Sequence, residues 1–411
     1  MLYTVNMVKF LSWWERGLIA ALCLSIAMLG IGRIEFLSTD VSMSGWSVSR
    51  TTFFFWLAFK LVVVARGGWP RTGLSQWKPL MPLFWFFAAV TVSLLPDFRQ
   101  AGDYRYFFFG CVHTVMLVDL FSGRQQQRWL PVLLGLLPLV LVVRGLTHDP
   151  SVFNLSLMYR FGYPLDHPNT AGYLFAMSVP LGVYVATTQA GWRCALSAFS
   201  CASQTFALVL TFSRGAWLGW TAAMLYLTVS LGKWKYLATL ATLALACVLL
   251  SPSIQDRLAS VTRPGDDLSI QERLQRLTSS LQLGMDHPVL GVGYGRGRLR
   301  ESLPPYFKGT LLEGSPVLHT HNVYVELFAE TGLVGLLAFL WLLRHTLLSL
   351  CRSARRRDGP ERYLGFALTA SWIAAMVSGL GDIPFFHHET RIFFFTLIAL
   401  AHMYAAPPIV K

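Results

Sequence analysis

The chain has 411 residues, of which 54% are hydrophobic and only 13% charged, with a formal net charge of +13. That balance excludes a string of ordinary soluble domains and points to a polytopic membrane protein. The excess positive charge is distributed in the way that orients membrane helices, so membrane lipids are expected as partners and nucleic acid is not.

A helix needs about 20 mainly apolar residues to cross ~30 Å of hydrocarbon, and about twelve stretches meet that need. The first, near 16–32, follows Lys9 and Arg16 and lacks a small-residue cleavage site, so it reads as a retained helix. Further stretches lie near 51–66, 79–95, 104–121, 129–146, 171–188, 194–211, 215–232 and 235–251. The last three are near 321–343, 363–380 and 391–408. The expected fold is all-α, in three parts: transmembrane helices over 1–251, a polar segment over 252–320, and transmembrane helices over 321–411.

With the N-terminus inside, about twelve crossings return the C-terminus inside. The connections then placed in the cytoplasm carry Arg66, Arg71, Lys78, Arg124, Arg128, Lys233, Lys235 and the run "RSARRRDGPER" at 352–362. Segment 252–320 falls on the other side. The six cysteines lie in spans or, for Cys351, at the cytoplasmic face, and no Cys-x-x-Cys occurs, so neither a disulfide framework nor a thiolate metal site is expected.

Within 252–320, Ser269-x-x-Glu272 forms a capping box that opens a helix. Ile270, Leu274, Leu277 and Leu281 recur at helical spacing, which gives one apolar stripe. At 100° per residue Arg273 falls at the edge of that stripe and reaches inward, whereas Arg276 falls away from it and meets water. The glycines of "GVGYGRG" at 291–297 read as a tight turn, since no βα unit accompanies them. Loops at 157–172, 211–217 and 381–393 are expected on the same side as the polar segment, where all four could line one cavity.

Arginines there oppose the orientation rule, which gives Arg160, Arg214 and Arg273 two readings. Each caps a helix or snorkels to headgroups, or together they bind a phosphorylated group, for which a permanently charged, forked guanidinium is suited. His321 likewise has two readings. It is a general base, because imidazole works near neutral pH, or it is a helix-terminal residue beside an N-cap at Asn322. If the tenth span starts near His321, Gly332 and Gly335 fall beneath it and clear room for a neighbouring helix or lipid chain, while Glu326 and Glu330 point away. His319, His321, His387, His388 and Glu389 share the external side, but their spacing fits no metal motif, so neither metal nor cofactor is expected.

These pieces resemble the bacterial O-antigen ligase and polymerase superfamily. Its signature, His followed by Asn, Ser or Gln, nine residues and Gly-x-x-Gly, is matched by His321-Asn322, residues 323–331 and Gly332-Leu333-Val334-Gly335. "RFGYPLDHPNTAGY", "LTFSRGAW" and "ERLQRLTSSLQLGMDHPVLGVGYG" are similar too. The resemblance implies a GT-C-like membrane glycosyltransferase of the bacterial inner membrane. It would take an undecaprenyl-pyrophosphate-linked glycan as donor at the periplasmic face. A ligase passes that glycan to a lipid A-core acceptor, and a polymerase to another lipid-linked repeat. Carried over, His321 is the essential histidine, and Arg214 and Arg273 are the catalytic arginines. Arg160, Asn169, His319 and Asn322 are expected at the substrate. The family often has a tryptophan after the loop-helix arginine; "RLTSSLQL" lacks one, which leaves Arg273 and Arg276 both open, with the stripe favouring Arg273. A transporter is the non-enzymatic alternative, but polar groups gather at one membrane boundary rather than mid-span.

Overall fold

The computed structural model describes residues 2–31, 34–35, 42–43, 45–65, 77–95, 102–122, 125–154, 159–165, 167–232, 234–259, 268–316, 319–383 and 387–406. Arg66, Arg71, Arg124 and Lys233 of the cytoplasmic basic set lie outside these residues, as do the side chains of His388 and Glu389. Helices α1 (Leu2–Ile31), α2 (Gly45–Ala65), α3 (Met81–Ser93), α4 (Gly102–Phe121), α5 (Trp129–Leu136) and α6 (Pro138–His148) form the first part. They are followed by α7 (Pro168–Thr188), α8 (Trp192–Leu210), α9 (Arg214–Leu231) and α10 (Trp234–Leu250). The polar segment contributes α11 (Pro252–Ala259), α12 (Leu268–Asp286) and α13 (Arg296–Ser302), and the chain finishes with α14 (Val323–Arg355), α15 (Gly359–Ser378) and α16 (His388–Ala405). Two residues of β-strand on each side, Ile34↔Met43 and Glu35↔Ser42, pair between α1 and α2.

Helix occupies each predicted stretch within the described residues, and the fifth is divided at Pro138 into α5 and α6. Among the described residues, six helical segments are long and apolar enough to cross a membrane: Phe10–Met28, Ser47–Ala65, Trp129–His148, Pro168–Thr188, Trp192–Leu210 and Val323–Arg355. Lys78–Ser93 and Thr390–Ala405 are shorter apolar helices. The chain is a multi-pass membrane protein.

Helix α7 is the centre of the bundle. Nearly all its residues are buried, because small side chains (Ala171, Gly172, Ala176, Gly182, Ala186) let α5, α8, α9 and α15 pack around it. Helices α9 and α15 approach still more closely. A Cβ at Gly219 would lie 2.8 Å from Ala374 O, and one at Gly215 would lie 3.3 Å from the Gly381 Cα. That contact puts the start of α9 directly against the loop after α15.

Three polar groups inside the bundle are paired in ways that lower the cost of burying them. Lys60 on α2 meets Asp119 on α4 at 2.6 Å, and Trp56 Nε1 donates to the same carboxylate at 2.9 Å. His113 bridges Ser49 (2.7 Å) and Thr396 (3.0 Å), which ties α4 to α2 and α16. Gln204 donates to Gly135 O at 2.9 Å, beside the break made by Pro138. The polar segment builds a small core of its own from Leu283, Leu299, Leu303, Phe307 and Leu312, closed by Ala329 of α14.

Helix α14 is interrupted within its first turns. Gly332 has φ 63° and ψ −165°, and the helix resumes beyond it. The break exposes backbone groups that the 288–293 loop takes up: Val292 N donates to Ala329 O (3.0 Å) and Gly293 N to Glu330 O (2.8 Å), while Leu333 N donates to Pro288 O (2.8 Å). A Cβ at Gly332 would sit 2.2 Å from Val289 O, so the position needs glycine for both conformation and space. The expectation that these glycines clear room beneath His321 is therefore corrected: Gly332 seats a loop of the polar segment, and Gly335 accommodates the Thr331 side chain.

The orientation of α12 also differs from expectation. Its buried face is Arg276, Ser279, Ser280, Leu283 and Gly284, and Leu274 is 56% exposed. Arg276 does not meet water; it donates to Pro316 O at 3.2 Å, and Ser279 donates to Tyr306 O at 3.1 Å. The helix is rotated so that Leu283 enters the small core of the polar segment while neighbouring backbone carbonyls accept from Arg276 and Ser279 on the same face.

Two outcomes are expected. Lys60→Met should destabilise the detergent-solubilised protein by roughly 3–5 kcal/mol by stranding Asp119, while adding Asp119→Leu recovers most of the loss in an unfolding titration. Gly332→Ala should lower the thermal midpoint and accelerate amide exchange at Val292 and Gly293 well beyond the molecule's average.

Candidate functional site

The starts of α7, α9, α14 and α16 and the ends of α8 and α15 lie at one end of the bundle, as their alternating direction requires. The residues singled out in the sequence gather there. Asn322 is the N-cap of α14: its side-chain oxygen accepts from Tyr324 N (3.0 Å) and Val325 N (3.1 Å). Its amide donates to Leu380 O at 3.2 Å, and Val323 N donates to Gly379 O at 2.9 Å. The stretch before α14 is thus stapled to the end of α15.

His321 precedes this cap and is not on the helix. It has φ 56°, a left-handed conformation that costs a non-glycine residue about 1–2 kcal/mol and persists only where its surroundings enforce it. The enforcement comes from Thr320. Its backbone N–H donates to Glu326 Oε2 at 2.7 Å, and its hydroxyl lies 2.9 Å from the same oxygen. Glu326 and Glu330 are both buried, and Glu330 accepts from Gly295 N at 3.1 Å. With Thr320 turned inward, His319 and His321 project to one side, their ring centroids 3.9 Å apart.

Both imidazoles face Asp382, which follows α15. His319 Nε2 is 3.0 Å from Oδ1, and His321 Nδ1 is 3.5 Å from Oδ2. Asn169 Nδ2 donates to Oδ2 and Ile383 N to Oδ1, both at 2.9 Å. Burial alone would raise the Asp382 pKa. Hydrogen bonding from His321, the charges of both histidines and the Asn169 amide outweigh it, holding the carboxyl well below the usual carboxylate range. Asp382 is therefore an anion at any working pH.

The arginines extend this network. Arg160 donates through Nη2 to Asn169 Oδ1 (2.9 Å), which fixes that amide with its NH₂ toward Asp382, and through Nε to Thr211 O (2.8 Å). Arg273 lies with Nη1 3.4 Å from Gly381 O, next to Asp382. Arg214 is the first residue of α9 and half-buried. A cation at the positive end of a helix is unfavourable by itself, whereas the two together attract an anion. The Gly215–Gly381 contact brings that end against the Asp382 loop.

His167 is the N-cap of α7, accepting from Asn169 N at 3.1 Å, and stacks at 6.4 Å with His387. Its pKa is lowered first by burial; Asp382 opposes this, but Arg160, His321 and Arg273 reinforce it. His167 is accordingly neutral near pH 7.

Two buried members of the site were not expected: Asp382 and Tyr173, whose hydroxyl hydrogen-bonds Asp382 and Ser213. The signal for Asp382 was its place in "GDIP" within a loop already assigned to this face. Of the histidines weighed as metal ligands, His319 and His321 come together, and Asp382 completes a group whose ligand atoms all lie within 4.8 Å. Two imidazoles and a carboxylate could hold a divalent ion.

Residues 198–340 match the family model described as O-Antigen ligase. This part of the chain is similar to the O-antigen ligase family. The matched region carries Arg214, Arg273, His319, His321 and the Gly332–Gly335 pair. No curated protein matches the chain. Asp382, Asn169 and Arg160 are supplied from outside the ligase-family region.

The depressed pKa of His167 has a stability consequence. Below its ordinary value of 6.5 the unfolded chain takes a proton that the folded chain refuses, so stability falls as pH drops from about 7.5 to about 5.5. Asp382 adds nothing in that window, because its depressed pKa acts only below the ordinary carboxylate range. The thermal midpoint of the native protein should therefore fall more steeply over this interval than that of His167→Gln.

Proposed function

We propose that the protein is an O-antigen ligase. It transfers a glycan from undecaprenyl pyrophosphate to a lipid A-core acceptor at the periplasmic face of the bacterial inner membrane. The observation that carries this reading is the meeting of His321, Asp382, Arg160 and Arg273 at one end of the bundle. About twelve crossings with both termini cytoplasmic would place that end outside; Arg193, Lys235 and the 352–362 run at the opposite end support this orientation.

Asp382 faces Nδ1 of His321, so the favoured tautomer carries its proton there and presents the Nε2 lone pair to an acceptor hydroxyl. As the acceptor oxygen attacks the anomeric carbon, Nε2 takes its proton, and the bond from that carbon to the phosphate oxygen breaks on the opposite face. The anomeric centre inverts, and undecaprenyl pyrophosphate leaves with the bonding pair. Arg160, Arg214 and Arg273 hold the pyrophosphate and stabilise the charge that grows on it, a contribution that needs no metal. Arg273 keeps this role, while Arg276 is committed to Pro316 O. His319, Asn169 and Asn322 shape the acceptor side through Asp382 and the α14 cap. A polymerase would use the same groups on a different acceptor.

With purified protein, lipid-linked donor and lipid A-core, His321→Ala should reduce transfer roughly 10²- to 10⁴-fold, and chelator should leave the native rate intact. Undiminished turnover in His321→Ala, or transfer abolished by chelator and restored by a divalent ion, would defeat this mechanism. Glycan appearing on lipid A-core identifies a ligase, and lengthened lipid-linked glycan a polymerase.

A further inference from the structure

The groups that make His321 a base also form a chelate. One ring nitrogen each from His319 and His321 and one carboxylate oxygen of Asp382 lie within 4.8 Å of one another. Tetrahedral zinc, with bonds of about 2 Å, holds its ligand atoms about 3.3 Å apart. His319 Nε2 is 3.0 Å from Asp382 Oδ1 and His321 Nδ1 is 3.5 Å from Oδ2, so a small rotation of the carboxylate and the rings would bring one oxygen and both nitrogens to that spacing. His321 Nδ1 is buried, and its contact with Asp382 Oδ2, at 3.5 Å, is at the outer limit of a hydrogen bond. Asp382 is held from behind by Asn169 and Ile383, the kind of support that orients a metal-bound carboxylate. The non-helical backbone at His321 leaves both rings on one side, their centroids 3.9 Å apart, as a helix would not.

We infer that His319, His321 and Asp382 form an inhibitory site for a divalent transition-metal ion, zinc above all. The site is a regulator of the centre proposed above, and its inhibitory half rests on that reading. The chemistry gives the sign. A metal bound at Nδ1 occupies the lone pair on that nitrogen, so the imidazole proton must reside on Nε2. The nitrogen that would accept the acceptor's proton then carries one, and base catalysis stops. The same ion draws the Asp382 carboxylate away from its part in fixing the tautomer. Arg160 and Arg273 oppose a cation electrostatically, so removing one of these charges should tighten binding.

The test uses the full chain in detergent with an affinity tag free of histidine. Cobalt(II) should bind at one equivalent with the visible absorption of a low-coordinate His/carboxylate site and be displaced by zinc. His319→Ala and Asp382→Asn should each abolish that absorption, and Arg273→Gln should lower the cobalt concentration at half-saturation. Zinc should suppress glycan transfer, and chelator should restore it. Absence of saturable cobalt binding in the native protein overturns the inference whatever the variants do, as does binding that survives both substitutions or transfer that proceeds at zinc saturation. Cobalt bound as described in a protein with no transfer activity would leave the metal site standing and remove the enzymatic reading instead.

Discussion

A carboxylate at 6% exposure is strongly unfavourable unless its lone pairs are satisfied, and Asp382 satisfies them by recruiting three separate parts of the chain. The Asn169 amide comes from the start of α7, the imidazoles from the approach to α14, and the Ile383 N–H from its own loop. Arg160 then fixes Asn169, and Gly381, next to Asp382, accepts from Arg273. Withdrawing the charge would leave two imidazoles 3.9 Å apart among guanidinium groups, an arrangement with no internal reason to hold.

The helical frame exists to make that convergence possible. Small residues on α7 and the glycines of α9 let the helices close on one another, and the Gly215–Gly381 contact decides how near the α9 terminus comes to the carboxylate. Charged and polar groups deeper in the bundle, such as Lys60 with Asp119 and His113 with its two hydroxyls, specify which helices pair. A matched ion pair adds little net stability yet penalises any packing that parts it.

Hydrophobic period and basic-residue placement were enough to locate the helices, because those signals are local. The histidine motif and Arg160, Arg214 and Arg273 stand out in the sequence as candidates because each departs from what a membrane boundary ordinarily contains, and the fold brings them to one end of the bundle. Asp382 was not, since a lone acid in "GDIP" acquires meaning only when α7 and α14 bring partners from 213 and 63 positions away. The rotation of α12 was misread because leucine spacing was weighted over backbone carbonyls that only the folded chain presents to Arg276 and Ser279. Gly332 carried a correct motif and a wrong reason. Its use is an interrupted helix, which sequence spacing cannot distinguish from a small-residue packing face.

That interruption has a mechanical corollary. Helix α12, which bears Arg273, runs directly into the loop whose amides pair with the carbonyls freed at Gly332, and α14, which follows His321, is the other half of that seam. The guanidinium and the imidazole are thereby mounted on one stiff chassis rather than on two members free to slide. Parting the two would require breaking this seam of backbone hydrogen bonds.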